Sequence, residues 1–197
     1  LIRKAKETGL EIIHEVIITP NSGLTMLQEY DLYPNIEFNC DSPEIVKKGR
    51  ELDHIKWELS DKIIVASKVV QESLLKFGVD SKKIFMVPYG LTQDWFKYKS
   101  NPKKGKILFV GIVGLRKGVH YLAEAARILE KWGYNYEIKA VGLKTVDTNI
   151  DLFKGPKYLG HIPRNKIINE YLSADVFVLP TLVDGFGLVH LEAMACG

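Results

Sequence analysis

Short apolar runs rich in β-branched residues alternate along this chain with stretches whose apolar residues repeat at helical spacing. The runs at 11–18, 61–66, 83–87, 106–110, 136–141, 158–162 and 175–180 read as strands. Helical periods are predicted at 1–8, within 21–30, from Asp41-Ser-Pro-Glu44 to about 59, at 67–77, 119–132 and 163–172, and after Gly187. Parallel strands need long crossovers and both faces covered, so this alternation leaves an α/β architecture with parallel, Rossmann-like sheets. Residues 97–104 carry Asn, Pro and Lys without periodicity and are expected to be a solvated connector. The expected division is residues 1–96, then 97–104 as the connector, then 105–197. The chain starts at Leu1 and stops at Gly197 inside a predicted helix, so a fragment is expected: the back of one domain and the front of the next.

Composition excludes several classes. Lys plus Arg number 27 against 24 Asp plus Glu, and no basic helix with interleaved aromatics appears, so no nucleic-acid partner is expected. No apolar run approaches the roughly 18 residues of a membrane span. Cys40 and Cys196 stand far apart in sequence and are expected as free thiols in a reducing compartment. No His pairs with another His or with Cys at metal-ligand spacing, and no two Asp lie two residues apart, so no metal site is expected.

The candidate site is the junction at the end of the chain. A predicted strand at 175–180 runs into Asp184-Gly-Phe-Gly-Leu188, and a helix follows with Leu188, Leu191 and Ala195 expected on one face and Glu192 beside it. In an open α/β sheet such a junction lies at the carboxyl edge, where ligands bind. The N–H groups of Phe186, Gly187 and Leu188, with Gly185 before them, can receive a phosphate at close range. Asp184 and Glu192 frame the turn at a separation expected on the order of 10 Å. That is too wide for a nucleophile and acid pair on one small centre, which needs roughly 5 Å. It suits a long ligand lying across the turn, with phosphates in its middle and hydroxyls at either end. Arg116 and Lys117, in the turn after the strand at 106–110, can neutralise a diphosphate.

This motif resembles the acid–seven residues–acid signature of retaining glycosyltransferases of the two-domain GT-B fold, family 4 in particular. That pattern reads E-G-F-G-L-x-x-L-E-A-M-A-x-G; here Asp184 stands in place of the first Glu. Ser60-Asp-Lys-Ile-Ile-Val-Ala-Ser67 and Ile84-Phe-Met-Val-Pro-Tyr-Gly90 are similar to that family's exit from its N-terminal domain. The resemblance implies a nucleoside-diphosphate sugar as donor substrate, no other cofactor and no metal. It implies Lys117 at the phosphates, Glu192 at the ribose hydroxyls and Asp184 at the donor sugar. The family's partner Arg corresponds to Ile112, a role Arg116 is placed to take over. Gly142 and Ile162, at other strand ends, are candidates to flank the base. The bland alternatives are exposed loop charges for Arg116 and Lys117, a solvated carboxylate for Glu192 and a helix cap for Asp184.

The implied function is transfer of a sugar to an acceptor hydroxyl with its anomeric configuration kept, the acceptor being a saccharide or a lipid-linked one. A cytoplasmic location follows from the family, extending to the inner membrane face with peripheral contact. A nucleotide-sugar epimerase or a phosphorylase on the same fold, or a non-catalytic nucleotide-sugar-binding module, stand as alternatives.

Overall fold

The computed structural model describes residues 1–197 and divides them into two compact units. The first comprises Leu1–Gln28, Asp41–Tyr89 and Val183–Phe186; the second comprises Glu29–Cys40, Gly90–Leu182 and Gly187–Gly197.

The first unit opens with helix α1 (Ile2–Glu7) and is built on three parallel strands, β1 (Ile13–Val16), β2 (Lys62–Val65) and β3 (Ile84–Met86), in that order. Helix α2 (Ser22–Leu32) follows β1, and helix α3 (Pro43–Leu59) leads back to β2. The start of α3 follows the sequence chemistry: the Ser42 hydroxyl accepts from the Ile45 N–H at 3.4 Å, Pro43 occupies the first turn and Glu44 favours the helix dipole. Its buried face is carried by Val46 and Trp57, whereas Ile45 and Leu52 are exposed. Trp57 sets that face: its ring lies 5.0 Å from His54 and 5.9 Å from Phe77. Helix α4 (Lys68–Lys76), capped by Ser67, leads from β2 to β3 and buries Val70 and Leu74 against Ile63 and Val65.

The second unit holds four parallel strands in the order β6-β5-β4-β7. These are β4 (Lys106–Val110), β5 (Glu137–Val141), β6 (Lys157–Gly160) and β7 (Val176–Phe177). Leu108 and Phe109 in β4 are fully enclosed, as expected of a central strand covered on both faces. Helix α5 (Val119–Lys131) carries the chain from β4 to β5, and helix α6 (Arg164–Leu172) carries it from β6 back across the sheet to β7. The strand order therefore reverses beside β4, which puts the topological switch point at the carboxyl ends of β4 and β7. β7 is shorter than the predicted run at 175–180. The Val178 N–H still donates to the Leu108 carbonyl at 2.9 Å, but Pro180 has no N–H for a ladder and its segment turns onto Gly118. Helix α7 (Leu188–Ala195) closes the chain. Trp95, held in a 3-10 segment Gln93–Lys97, packs into this unit's core with Leu108, Val110 and Tyr171.

Candidate functional site

At the switch point the backbone itself forms the walls. After β4 the chain makes a 3-10 turn Leu115–Lys117, and Gly118 then takes a left-handed conformation (φ 69°) to start α5. A Cβ on Gly118 would stand 1.8 Å from the Pro180 carbonyl oxygen, so the turns after β4 and β7 meet backbone to backbone only because this residue has no side chain. The Leu182 N–H and the Thr181 hydroxyl both donate to the Arg116 carbonyl, at 3.0 and 3.3 Å. On the other side, Gly142 follows β5 with φ 150°, and a Cβ there would lie 1.8 Å from the Gly111 carbonyl oxygen.

Lys117 is buried within this turn and Arg116 is half-buried. Both line a cavity of about 280 Å³ shared with Ile112, Gly114, Lys144 and Glu37. Ile112 and Arg116 thus face one cavity, although only Arg116 can offer a charge to it. Glu37 went unnoticed in the sequence. Its Oε1 accepts from the Leu115 N–H at 2.6 Å, and the neighbouring Phe38 N–H donates to the Thr145 carbonyl at 2.8 Å. A carboxylate therefore rests on a main-chain donor of the turn that also carries Arg116 and Lys117, the kind of contact an anionic ligand would make there.

On α7 the packing face runs through Val189, Glu192, Ala193 and Ala195 and on to Cys196 in the cap; of the three residues the apolar spacing put there, Ala195 packs on the core, Leu191 is half-buried and Leu188 is exposed. Leu188 is 40% exposed and Met194 76% exposed, while Glu192 is only 8% exposed. A carboxylate on the packing face must find donors, and it has two. The Tyr171 hydroxyl donates to Oε2 at 2.9 Å, and Arg164 Nη2 donates to Oε1 at 3.1 Å. The Arg164 guanidinium also lies over the Trp95 ring, 5.7 Å from its centroid. Burial first, and then the Glu192 charge, push the Tyr171 phenol far above its ordinary range, so it remains a donor. Burial and the same carboxylate also raise the Cys196 thiol. The demand for partners was readable in Glu192 lying among apolar neighbours; which residues supply them depended on how α6 packs against α7.

The other predicted residues divide between the units. Asp184, Gly185 and Phe186 belong to the first, where Asp184 Oδ1 accepts from the Gly185 N–H at 2.9 Å and the Ser67 hydroxyl donates to the Gly185 carbonyl. The Phe186 ring meets Tyr89 edge-on at 5.3 Å, and the Tyr89 hydroxyl donates to Glu15 at 2.5 Å. Arg116, Lys117, Gly142, Ile162, Gly187, Leu188 and Glu192 belong to the second unit. Gly187 caps α7 from a left-handed conformation (φ 71°). Ile162 packs half-buried against the core that also holds Trp95 and Tyr171. No group of three or more His, Cys, Asp or Glu side chains is placed to hold a metal ion. No helix is long and apolar enough to cross a membrane.

Residues 92–197, just over half of the chain, match the family described as Glycosyl transferases group 1. The chain belongs to this family. Amylovoran biosynthesis glycosyltransferase AmsK of Erwinia amylovora is 28% identical over 151 residues, covering 68% of this chain and 37% of that protein. Capsular polysaccharide biosynthesis glycosyltransferase CapM of Staphylococcus aureus is 29% identical over 126 residues, 61% of this chain and 31% of that one. The chain thus spans well under half the length of the curated relatives it matches. Among solved structures, Anabaena HepE in complex with UDP and glucose superimposes with a TM-score of 0.67 at 15% identity, over 99% of this chain and 53% of that one. The parallel α/β architecture is accordingly that of the GT-B group 1 glycosyltransferases.

Proposed function

We propose that this chain is part of a retaining glycosyltransferase of family 4, moving a sugar from a nucleoside diphosphate to an acceptor hydroxyl without a metal ion. The observation that carries the reading is the pairing, within one unit, of a buried Lys117 on the turn after β4 with a buried Glu192 on the helix after β7. Those two strands flank the switch point, and the two groups suit the two ends of a nucleoside diphosphate: phosphates on the cation, ribose hydroxyls on the carboxylate. Arg116 adds a second cation, in the place that Ile112 leaves apolar. In this reading Gly185 and the N–H groups of Phe186, Gly187 and Leu188 face the phosphates, Asp184 holds the donor sugar's hydroxyls, and Gly142 and Ile162 flank the base.

The bond between the anomeric carbon and the diphosphate oxygen breaks, and the acceptor oxygen bonds to the same face of that carbon. Its proton passes to the departing phosphate. Lys117 and Arg116 stabilise that group as its charge grows. The UDP and glucose held by HepE, and the capsular polysaccharide biosynthesis named for CapM, support this substrate class.

The test is to offer UDP-, GDP- and ADP-sugars with saccharide and lipid-linked acceptors to the full-length protein. Product configuration is then read by NMR. Transfer with the donor's configuration kept is expected. Inversion would remove the retaining assignment, and neither transfer nor slow donor hydrolysis with any sugar would remove the function.

A further inference from the structure

The polar contacts in the core of the second unit lie behind Glu192, and Tyr171 and Arg164 supply them. We propose that Tyr171 and Arg164 are positioning residues: they lock the Glu192 carboxylate in the one orientation that recognises the adjacent ribose hydroxyls of a nucleotide. This rests on the assignment of Glu192 to the ribose.

A carboxylate offers about four lone-pair directions over its two oxygens. Tyr171 takes one on Oε2 and Arg164 takes one on Oε1, leaving one on each oxygen for a pair of neighbouring hydroxyls. Each positioning residue is itself held. The Tyr171 ring is 4% exposed and fixed between Trp95, 6.0 Å away and edge-on at 77°, and Phe177 at 5.9 Å. Arg164 lies over the ring of the same Trp95, 5.7 Å from its centroid. The terminal torsion of a Glu side chain is soft, so without these donors the carboxylate would turn among several orientations. With them it presents its remaining lone pairs together. The purely structural alternative, a tie between α6 and α7, predicts the same contacts but no preference for a ribose diol.

Calorimetry on the full-length protein separates the two. UDP, GDP and ADP are titrated beside their 2′-deoxy and 3′-deoxy forms. For whichever diphosphate binds, the wild type should prefer the ribonucleotide by roughly tenfold or more, the size expected of hydrogen bonds to a charged acceptor. Tyr171→Phe should collapse most of that preference by weakening ribonucleotide binding while leaving the deoxy forms unchanged. Arg164→Ala should reduce it and Arg164→Lys restore part of it. A folded Tyr171→Phe with the wild-type ratio, or one that weakens every nucleotide equally, overturns the proposal. If Tyr171→Phe does not fold, Arg164→Ala decides, because that side chain is 71% exposed and its loss spares the core. Glu192→Ala tests the parent reading by itself. If it leaves the ratio intact, or if no diphosphate binds the wild type, the ribose assignment fails and the positioning role with it. If it abolishes the ratio while Tyr171→Phe does not, only the positioning role fails.

Discussion

Substituting Gly142 by Ala tests whether the strand-end turns are held by direct backbone contact. The new Cβ would lie 1.8 Å from the Gly111 carbonyl oxygen, against an ordinary contact of roughly 3.5 Å, so the two turns must part. Two backbone hydrogen bonds depend on their present separation: Gly111 N–H to the Val141 carbonyl and Gly142 N–H to the Gly160 carbonyl, each 2.9 Å. Losing both costs about 2 kcal/mol net, and holding a non-Gly residue at φ 150° adds about 1–3 kcal/mol. The expected loss is about 4 kcal/mol. In a unit of about 100 residues that lowers the melting temperature by roughly 15–30 °C. Gly133→Ala is the control: it also has positive φ (73°), but no atom lies within 4 Å of its Cβ, so only backbone strain of about 1–2 kcal/mol applies. Thermal and denaturant unfolding followed by circular dichroism measures both variants. If Gly142→Ala costs no more than Gly133→Ala, the close approach of the turns is wrong.

Three further outcomes are expected. Lys117→Ala should weaken nucleoside-diphosphate binding by roughly ten- to a hundredfold, the loss of one charge-assisted contact, and calorimetry showing unchanged affinity would remove Lys117 from the phosphate site. Glu37→Gln keeps an acceptor for the Leu115 N–H but removes a negative charge from the cavity of Arg116, Lys117 and Lys144, so diphosphate affinity should rise several-fold in low salt and less near 1 M, where screening is strong. Weaker binding in low salt would show that the carboxylate assists the ligand instead. Glu170 governs an acid limb of stability: burial pushes its carboxyl up, but the hydrogen bond and charge of Lys106 at 2.7 Å, with Lys139 at 3.6 Å, more than reverse this and leave it lowered. A lowered folded value means that the stabilisation is complete above the unfolded carboxylate's range and is lost as pH falls through the folded one. Lys106→Met should therefore cost roughly 2 kcal/mol at neutral pH, less than for a fully buried pair because Lys139 remains, and should flatten the acid limb; an unchanged limb in pH-dependent unfolding would contradict this.

Much of the fold was legible because its signals are local. The Ser42 and Ser67 caps, Pro43 in the first turn of α3 and the β-branched runs at Ile63–Val65 and Ile107–Val110 each act through their own backbone. Which face of a helix becomes buried was less legible. On α7 six apolar residues compete with one carboxylate, and hydrophobicity alone put Leu188 inside. The structure buries Glu192 instead, because Tyr171 and Arg164 on α6 offer it donors. Those partners lie 21 and 28 residues away, beyond any spacing rule. Glu37 escaped for a similar reason: its contact with Leu115 spans 78 residues and no motif surrounds it.

The second unit also carries Lys117 and Glu192 on different elements, which narrows what its switch point can accept. Arg116, Lys117 and Lys144 gather at the turn side, while Glu192 lies among aromatic rings on α7 with its two donors already engaged. Had Lys117 and Glu192 formed an ion pair with each other, each would have lost its capacity for a ligand, and a buried pair of that kind gives little net stability in return. On the proposed reading, phosphate alone would answer only the cations and a nucleoside only the carboxylate. A molecule with an anionic centre and a diol at one end uses both groups. Such a molecule gains contacts at both groups where a smaller ligand gains them at one, and that difference in binding discriminates against the smaller ligands.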